Sequence, residues 1–254
     1  MGHATWELLY EHLKPRRVNY TRSVVSYLDI LGFSELIRAR TAGEISQILR
    51  ILAESVKPDP IFKFERIQFT KFSDTVIRSI PLTEHYPHNF IFELRSILHA
   101  QMALIPRGVL IRGAVTIGDI TQSWKVVYGP AVVKAYTLES QKGSPPRIVV
   151  DEEALASVQE AIEKESLSSA LANLVRKDES TTFLDYLKAC EHELNVPEQE
   201  YPLFLKIHRD FVRGGLTKYA SDQSKLSKYR WLRDYHHRAL EDRFGGEVPQ
   251  HLLV

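Results

Sequence analysis

Two aspartates set in apolar, strand-like surroundings constrain this chain more than any other feature. One stands in Tyr27-Leu28-Asp29-Ile30-Leu31-Gly32-Phe33, and the other, forty-five residues on, in Lys71-Phe72-Ser73-Asp74-Thr75-Val76. An ionised carboxylate in such a place is costly unless something pairs with it. A metal ion is the usual partner, and two converging carboxylates can hold the magnesium ions of a nucleoside triphosphate. Gly32 lets the backbone come close to a phosphate, and the free amides of the helix expected next favour anionic oxygens.

The pattern around these runs predicts an α+β chain. Residues 23–31 read as a buried strand broken only by Asp29. Ser34 is a candidate cap for a short helix, and Thr41 with Glu44 forms a capping box for another that ends before Pro58 and Pro60. Residues 64–80 read as a hairpin turning at Ser73-Asp74, with Arg66, Gln68 and Thr70 on one side and Ile67 and Phe69 on the other. Asn89 is the expected cap of a helix closed by Pro106. Residues 109–128 read as a long hairpin turning at Gly118-Asp119, with Arg112 and Thr116 on its polar face. Gly129-Pro130 then opens a helix to about Ser140, and Arg147–Val150 is a last short strand.

The order β, α, β-hairpin, α, β-hairpin, α, β is that of a split βαβ, or ferredoxin-like, mixed sheet covered by helices. Asp29 at a strand end and Asp74 at a neighbouring turn then reach one rim. We read residues 1–20 as a helical segment (a helix over 5–14), 21–150 as the domain that carries both aspartates and 151–254 as a mostly helical C-terminal appendage. Its clearest element spans 222–244, capped by Ser221 or Asp222 and stopped at Gly245-Gly246. His236-His237 on that helix read as surface residues.

With 254 residues, 44% apolar and 26% charged, the chain has an ordinary globular composition. A net charge of +1 gives no push toward nucleic acid. Residues 151–200 carry 13 acids against 4 bases, and 201–244 carry 10 bases against 5 acids. This split reads as two solvated helical faces that attract each other or a neighbouring subunit. One cysteine, Cys190, excludes an internal disulfide. No apolar run approaches the length of a membrane span, so a cytoplasmic protein is expected.

Four pieces in order resemble the catalytic domain of class III nucleotidyl cyclases over about residues 20–150. Asp29-Ile30-Leu31-Gly32-Phe33 matches the family's first-strand signature, and Asp74 its second aspartate. Arg112–Gly118 loosely matches an Arg-x-Gly strand, and Val127–Ser140 is similar to the element that follows. The family's ribose-orienting Asn falls at Val133, its transition-state Arg at Thr137 and its purine-selecting Lys at Thr70. Keeping the metal site without the purine apparatus resembles the pyrimidine cyclases of Pycsar anti-phage systems. The run Lys228–His236 is similar to tails of those proteins.

The resemblance implies conversion of UTP, or CTP, to the 3′,5′-cyclic monophosphate, with two divalent cations (Mn2+ or Mg2+) held by Asp29, the Ile30 carbonyl and Asp74. It implies that the backbone around Gly32 and Phe33 receives the phosphates and that Gln68 and Thr70 read the base. Arg112 and Lys134 are each either the source of the missing positive charge or ordinary exposed side chains. A head-to-tail homodimer and a separate cyclic-nucleotide-responsive effector protein are the implied partners. A catalytically degenerate nucleotide- or protein-binding module and a purine cyclase remain the alternatives.

Overall fold

The computed structural model describes residues 18–55, 67–83, 86–123, 126–142, 145–179 and 181–254. The expected helix over 5–14, Arg66 and the prolines at 58 and 60 lie outside the described residues. The elements that frame the site are β1 (Thr21–Ile30), α1 (Phe33–Ala39), α2 (Ala42–Ser55), β2 (Gln68–Phe72), β3 (Thr75–Pro81), α3 (Tyr86–Leu104), β4 (Ile111–Gln122), β5 (Val127–Tyr128), α4 (Pro130–Lys142) and β6 (Ile148–Val150). Then follow α5 (Glu152–Lys164), α6 (Ser168–Leu174), β7 (Val175–Asp178), β8 (Thr181–Leu184), α7 (Tyr186–Glu191), α8 (Pro197–Lys218) and α9 (Gln223–Phe244).

The sheet runs β2-β3-β1-β4-β6-β8-β7, with β5 folded back on the end of β4. β1 is antiparallel to both β3 and β4, and β2 is antiparallel to β3, so β1 and β2 run the same way with β3 between them. This is the ferredoxin-like core expected from the sequence. β6 adds in parallel to β4 after the α4 crossover, and the β7–β8 hairpin extends the sheet beyond it. The segment after residue 151 is therefore mostly helical, as expected, but it also contributes two strands to the sheet.

Two layers cover the sheet. On one face Leu28, Ile30, Val76 and Ile80 pack against Leu94, Leu98 and Leu52 in the main core. A fully buried ion pair, Arg78 Nε to Glu93 Oε2 at 2.6 Å, also lies in this layer, and the Ser26 hydroxyl donates to the same carboxylate. The other face carries only small clusters, Val25 with Ile120 and Ala131, and Ala114 with Ala135 and Val149, because α4 lies close on the sheet.

That close approach corrects the expected turn at Gly118-Asp119. β4 runs unbroken through both residues, and its partner β5 returns only at Val127. A Cβ on Gly118 would come within 3.1 Å of the Ala131 Cβ, so this glycine makes room for α4 rather than for a turn. The Thr41–Glu44 capping box forms as expected. Two other caps do not. Gly32, with φ 72°, caps α1 in place of Ser34. Asn89 sits inside α3, its side-chain amide donating to the Pro81 carbonyl.

Asp222 caps α9, accepting from the Lys225 amide, and Leu226, Leu232, Tyr235 and Ala239 face inward. His236 is fully buried, which corrects its reading as a surface residue. Its Nε2 lies 2.9 Å from the Leu252 carbonyl, which can only accept, so Nε2 carries a proton. His236 Nδ1 then accepts from His208 Nδ1 at 3.0 Å, and His208 Nε2 accepts from the Tyr186 hydroxyl at 2.8 Å. The two rings stack 17° from parallel. Among the described residues no helix is long and apolar enough to cross a membrane.

Candidate active site

The antiparallel register places the two aspartates together. Asp29 pairs with Thr75 across β1 and β3, so Asp74, the last residue of the β2–β3 turn, stands one step from Asp29 on the next strand. That turn has only two residues between the paired Phe72 and Thr75. Ser73 adopts φ 55°, a left-handed conformation uncommon outside glycine. Such local strain persists where the surroundings fix it, and here it orients the residue that carries the second carboxylate. The Leu31 amide donates to the Leu110 carbonyl on the β4 side. Successive residues of an antiparallel ladder alternate sides, which turns the Ile30 carbonyl toward β3 and Asp74.

Arg112, directly opposite Asp29 on β4, completes the cluster. Its Nε and Nη2 both lie 3.0 Å from Asp29 Oδ2, and its Nη1 lies 2.9 Å from Glu139 Oε1 on α4. The guanidinium thus bridges two largely buried carboxylates. Asp74 accepts no hydrogen bond among the described residues. Burial pushes the Asp29 carboxyl up to about 6; Arg112 opposes that rise, while the neighbouring charges of Asp74 and Glu139 add to it. Like charges this close are stable together only with cationic help. The Tyr27 hydroxyl, hydrogen-bonded to Thr75, is also raised, first by burial and then by Asp29.

Among the described residues no group of three or more His, Cys, Asp or Glu side chains could hold a metal ion. Two carboxylates and a backbone carbonyl are nevertheless the kind of hard oxygen set that magnesium and manganese accept, with phosphate and water oxygens filling the remaining positions. The residues present therefore fit a divalent cation at Asp29, Asp74 and the Ile30 carbonyl.

The other expected site residues divide into two groups. Register places Gln68 and Thr70 on the face shared by Tyr27 and Asp29. Gln68 is exposed, whereas the Thr70 hydroxyl donates to the Ser123 carbonyl and accepts from Gln122 Nε2 at 3.0 Å. Lys134 does not join the cluster. Its ammonium lies 2.7 Å from Asp151 and 2.6 Å from Glu153, and Asp151 also accepts from Thr116. Thr116 is four residues along β4 from Arg112, roughly 13 Å at strand spacing. Val133 is 65% exposed, and the Thr137 hydroxyl donates back to the Val133 carbonyl within its own helix.

Three residues of the site escaped sequence reasoning. Glu139 reads as an ordinary helix-surface acid until α4 packs on the sheet. Gln122 lies beyond the misplaced Gly118 turn; its amide spans Thr70 and the Ile77 carbonyl. Phe72, 82% exposed and opposite Thr75, places an aromatic ring on the same face as Asp29. Its only signal was a bulky apolar residue at the end of a half-polar strand.

No protein-family model and no curated protein matches the sequence. Among solved structures, the adenylyl cyclase CyaB from P. aeruginosa is similar at 17% identity over 56% of this chain and 82% of its own, with a TM-score of 0.42. A bacterial light-regulated adenylyl cyclase is similar at 14% identity over 78% of this chain and 100% of its own, again with a TM-score of 0.42. A further structure of such an enzyme aligns at 14% identity over 71% of this chain and 56% of its own, with a TM-score of 0.41. Likeness at this level carries no argument about chemistry, which rests on the residues themselves.

Proposed function

We propose that the protein is a nucleotide cyclase that converts a pyrimidine nucleoside triphosphate, UTP or else CTP, to its 3′,5′-cyclic monophosphate and pyrophosphate. The observation that carries this reading is the meeting of Asp29 and Asp74 at one rim of the sheet beside the Arg112 guanidinium. Asp29, the Ile30 carbonyl and Asp74 would hold the cations. Two divalent ions, Mn2+ or Mg2+, supply the charge that acidifies the ribose 3′-hydroxyl and neutralises the departing pyrophosphate. In-line attack at the α-phosphorus asks little covalent chemistry of the protein, so its work is positioning and charge stabilisation.

Arg112 would stand in for the family's transition-state arginine, a role supported by its contacts with Asp29 and Glu139 in the cluster. Lys134, held by Asp151 and Glu153 at the start of α5, serves the fold. The left-handed Gly32 turn brings the backbone of residues 31–34 to the phosphates. Gln68 and Thr70 offer an amide and a hydroxyl to the base, groups that satisfy either a carbonyl or an amino edge. Thr70 stands where the family's purine-selecting lysine stands, which supports a pyrimidine.

Exposed Val133 and Tyr136 on α4, together with Phe72, form apolar ground around the site that a second copy would cover. A head-to-tail homodimer accounts for them. The cyclic product would act on a separate effector protein in anti-phage defence. A second reading, a degenerate cyclase fold that binds without turnover, draws on the outward Val133 and the self-bonded Thr137.

Incubating the purified protein with each of the four NTPs and Mn2+, then resolving products by chromatography, tests the proposal. A cyclic pyrimidine nucleotide is expected, UMP ahead of CMP, and absent with Asp74→Ala. Purine product alone overturns the substrate class. No product with any divalent metal overturns the enzyme in favour of the binding module.

A further inference from the structure

A cavity of about 340 Å³ lies between α1, the Gly108 turn and the junction of α8 with α9. It shares only the Leu31–Gly32 turn with the carboxylate site; neither Asp29, Asp74, Arg112 nor Glu139 lines it. Four cations, Arg40, Lys218, Lys225 and Lys228, line it against a single carboxylate, Glu35. Lys225 contacts Glu35 at 2.6 Å and Asp222 at 3.0 Å, Lys218 stands 3.7 Å from Glu35, and Arg40 donates to the Arg107 carbonyl. Lys228 makes no ion pair or hydrogen bond among the described residues.

The neighbours of Lys228 on α9 are already engaged. Tyr229 stacks on Tyr219 with ring centroids 5.4 Å apart, and Trp231 stacks on Tyr235. Tyr235 donates to Asp185, and His236 joins the histidine pair. Trp231, Tyr235 and His236 are consumed by packing away from the cavity, whereas Lys228, with Tyr219 and Tyr229, lines it. A Cβ at Gly32 or Gly214 would meet nothing within 4 Å, so the backbone is open on two sides. An aromatic wall with excess ammonium groups recognises a ring that carries an anion.

We propose that this cavity is a second ligand site, for a phosphate-bearing small molecule of mononucleotide size. Lys228 and the flanking lysines take the phosphate, and the ring lies against the Tyr219–Tyr229 wall. The volume is at the small end for ligand pockets, which suits one nucleotide rather than two. A bound ligand would tie α1 to α8 and α9 and hold the Gly32 turn, three residues after Asp29. The inference stands whether or not the carboxylate site is a cyclase.

Calorimetric titration in EDTA, with inorganic phosphate and with UMP as probes, tests it on the wild type, Lys228→Glu and Asp74→Asn. The wild type is expected to bind UMP more tightly than phosphate. Lys228→Glu should weaken UMP by about tenfold or more, the scale of one charge-assisted hydrogen bond. Asp74→Asn should bind as the wild type does, even where its cyclase activity is gone. Lys228→Ala repeats the test if the charge reversal disturbs folding. No binding of either probe to the wild type, unchanged affinity in both Lys228 variants, or loss of binding in Asp74→Asn overturns the proposal. Equal affinity for phosphate and UMP overturns the ring contact.

Discussion

Acidification should undo the histidine pair that joins α8, α9 and the chain end at Leu252. Burial drives both imidazoles down, His208 well below the usual histidine range and His236 from 6.5 to about 4. The unfolded chain therefore binds protons first, and stability present above pH 6.5 is lost as the pH falls toward 4. At 1.36 kcal/mol per tenfold difference in proton affinity, His236 alone accounts for about 3 kcal/mol in full, and for about 2.5 kcal/mol of it by roughly pH 4.5. The cause is geometric. Protonating Nδ1 of His236 removes the only acceptor facing His208 Nδ1 and leaves two donors in contact.

His236→Gln keeps a donor for the Leu252 carbonyl but cannot titrate. It should cost about 1–2 kcal/mol at neutral pH through the lost stacking and hydrogen bond, yet fall less on acidification than the wild type, by about 2.5 kcal/mol at roughly pH 4.5. Urea denaturation followed by tryptophan fluorescence, at pH 7 and pH 4.5 in EDTA, measures this double difference, from which carboxylate titration cancels. An equal loss in both proteins would rule out the histidine pair as the acid-sensitive element.

Removing Arg112 leaves Asp29 and Glu139 facing each other with little solvent, so Arg112→Ala should destabilise by about 2–4 kcal/mol. Thermal melts should show Mn2+ recovering part of that loss, since a cation at Asp29 again separates the carboxylates; Mn2+ with no effect on the variant would contradict the site. A Cβ at Gly215 would lie 1.9 Å from the Tyr229 ring. Gly215→Ala should therefore cost about 1–3 kcal/mol, and a denaturation midpoint equal to the wild type's would show that the ring is not fixed there.

Strand β1 was legible because the neighbours of Asp29 are nearly all apolar, so its carboxylate stood out, and Asp74 was legible as the turn between two strand-like runs. The Thr41–Glu44 box and the Gly245 stop were legible because helix ends are local chemistry. What failed was non-local. Gly118 looked like a turn, but its missing side chain serves Ala131 on a helix that only the folded chain brings near. The strands β7 and β8 have four residues each and lie within an acidic, helix-rich stretch, so they were too short to outweigh their surroundings. His236 became a core residue only through His208, twenty-eight positions away. Glu139 joined the site for the same reason: register across three strands and the close seat of α4 put it against Arg112. Asp29 and Asp74 could be named from sequence, and their third acidic neighbour could not.

The proposed cyclase chemistry depends on Asp29 and Asp74 together gripping divalent cations over a triphosphate. Titrating Mn2+ into the protein with a non-hydrolysable UTP analogue, and counting free ion by electron paramagnetic resonance, measures this without relying on turnover. About two bound ions per chain are expected in the wild type, with binding weakened by at least about tenfold in Asp29→Asn and in Asp74→Asn. Wild-type affinity retained by both variants would place the metal elsewhere and contradict the assignment.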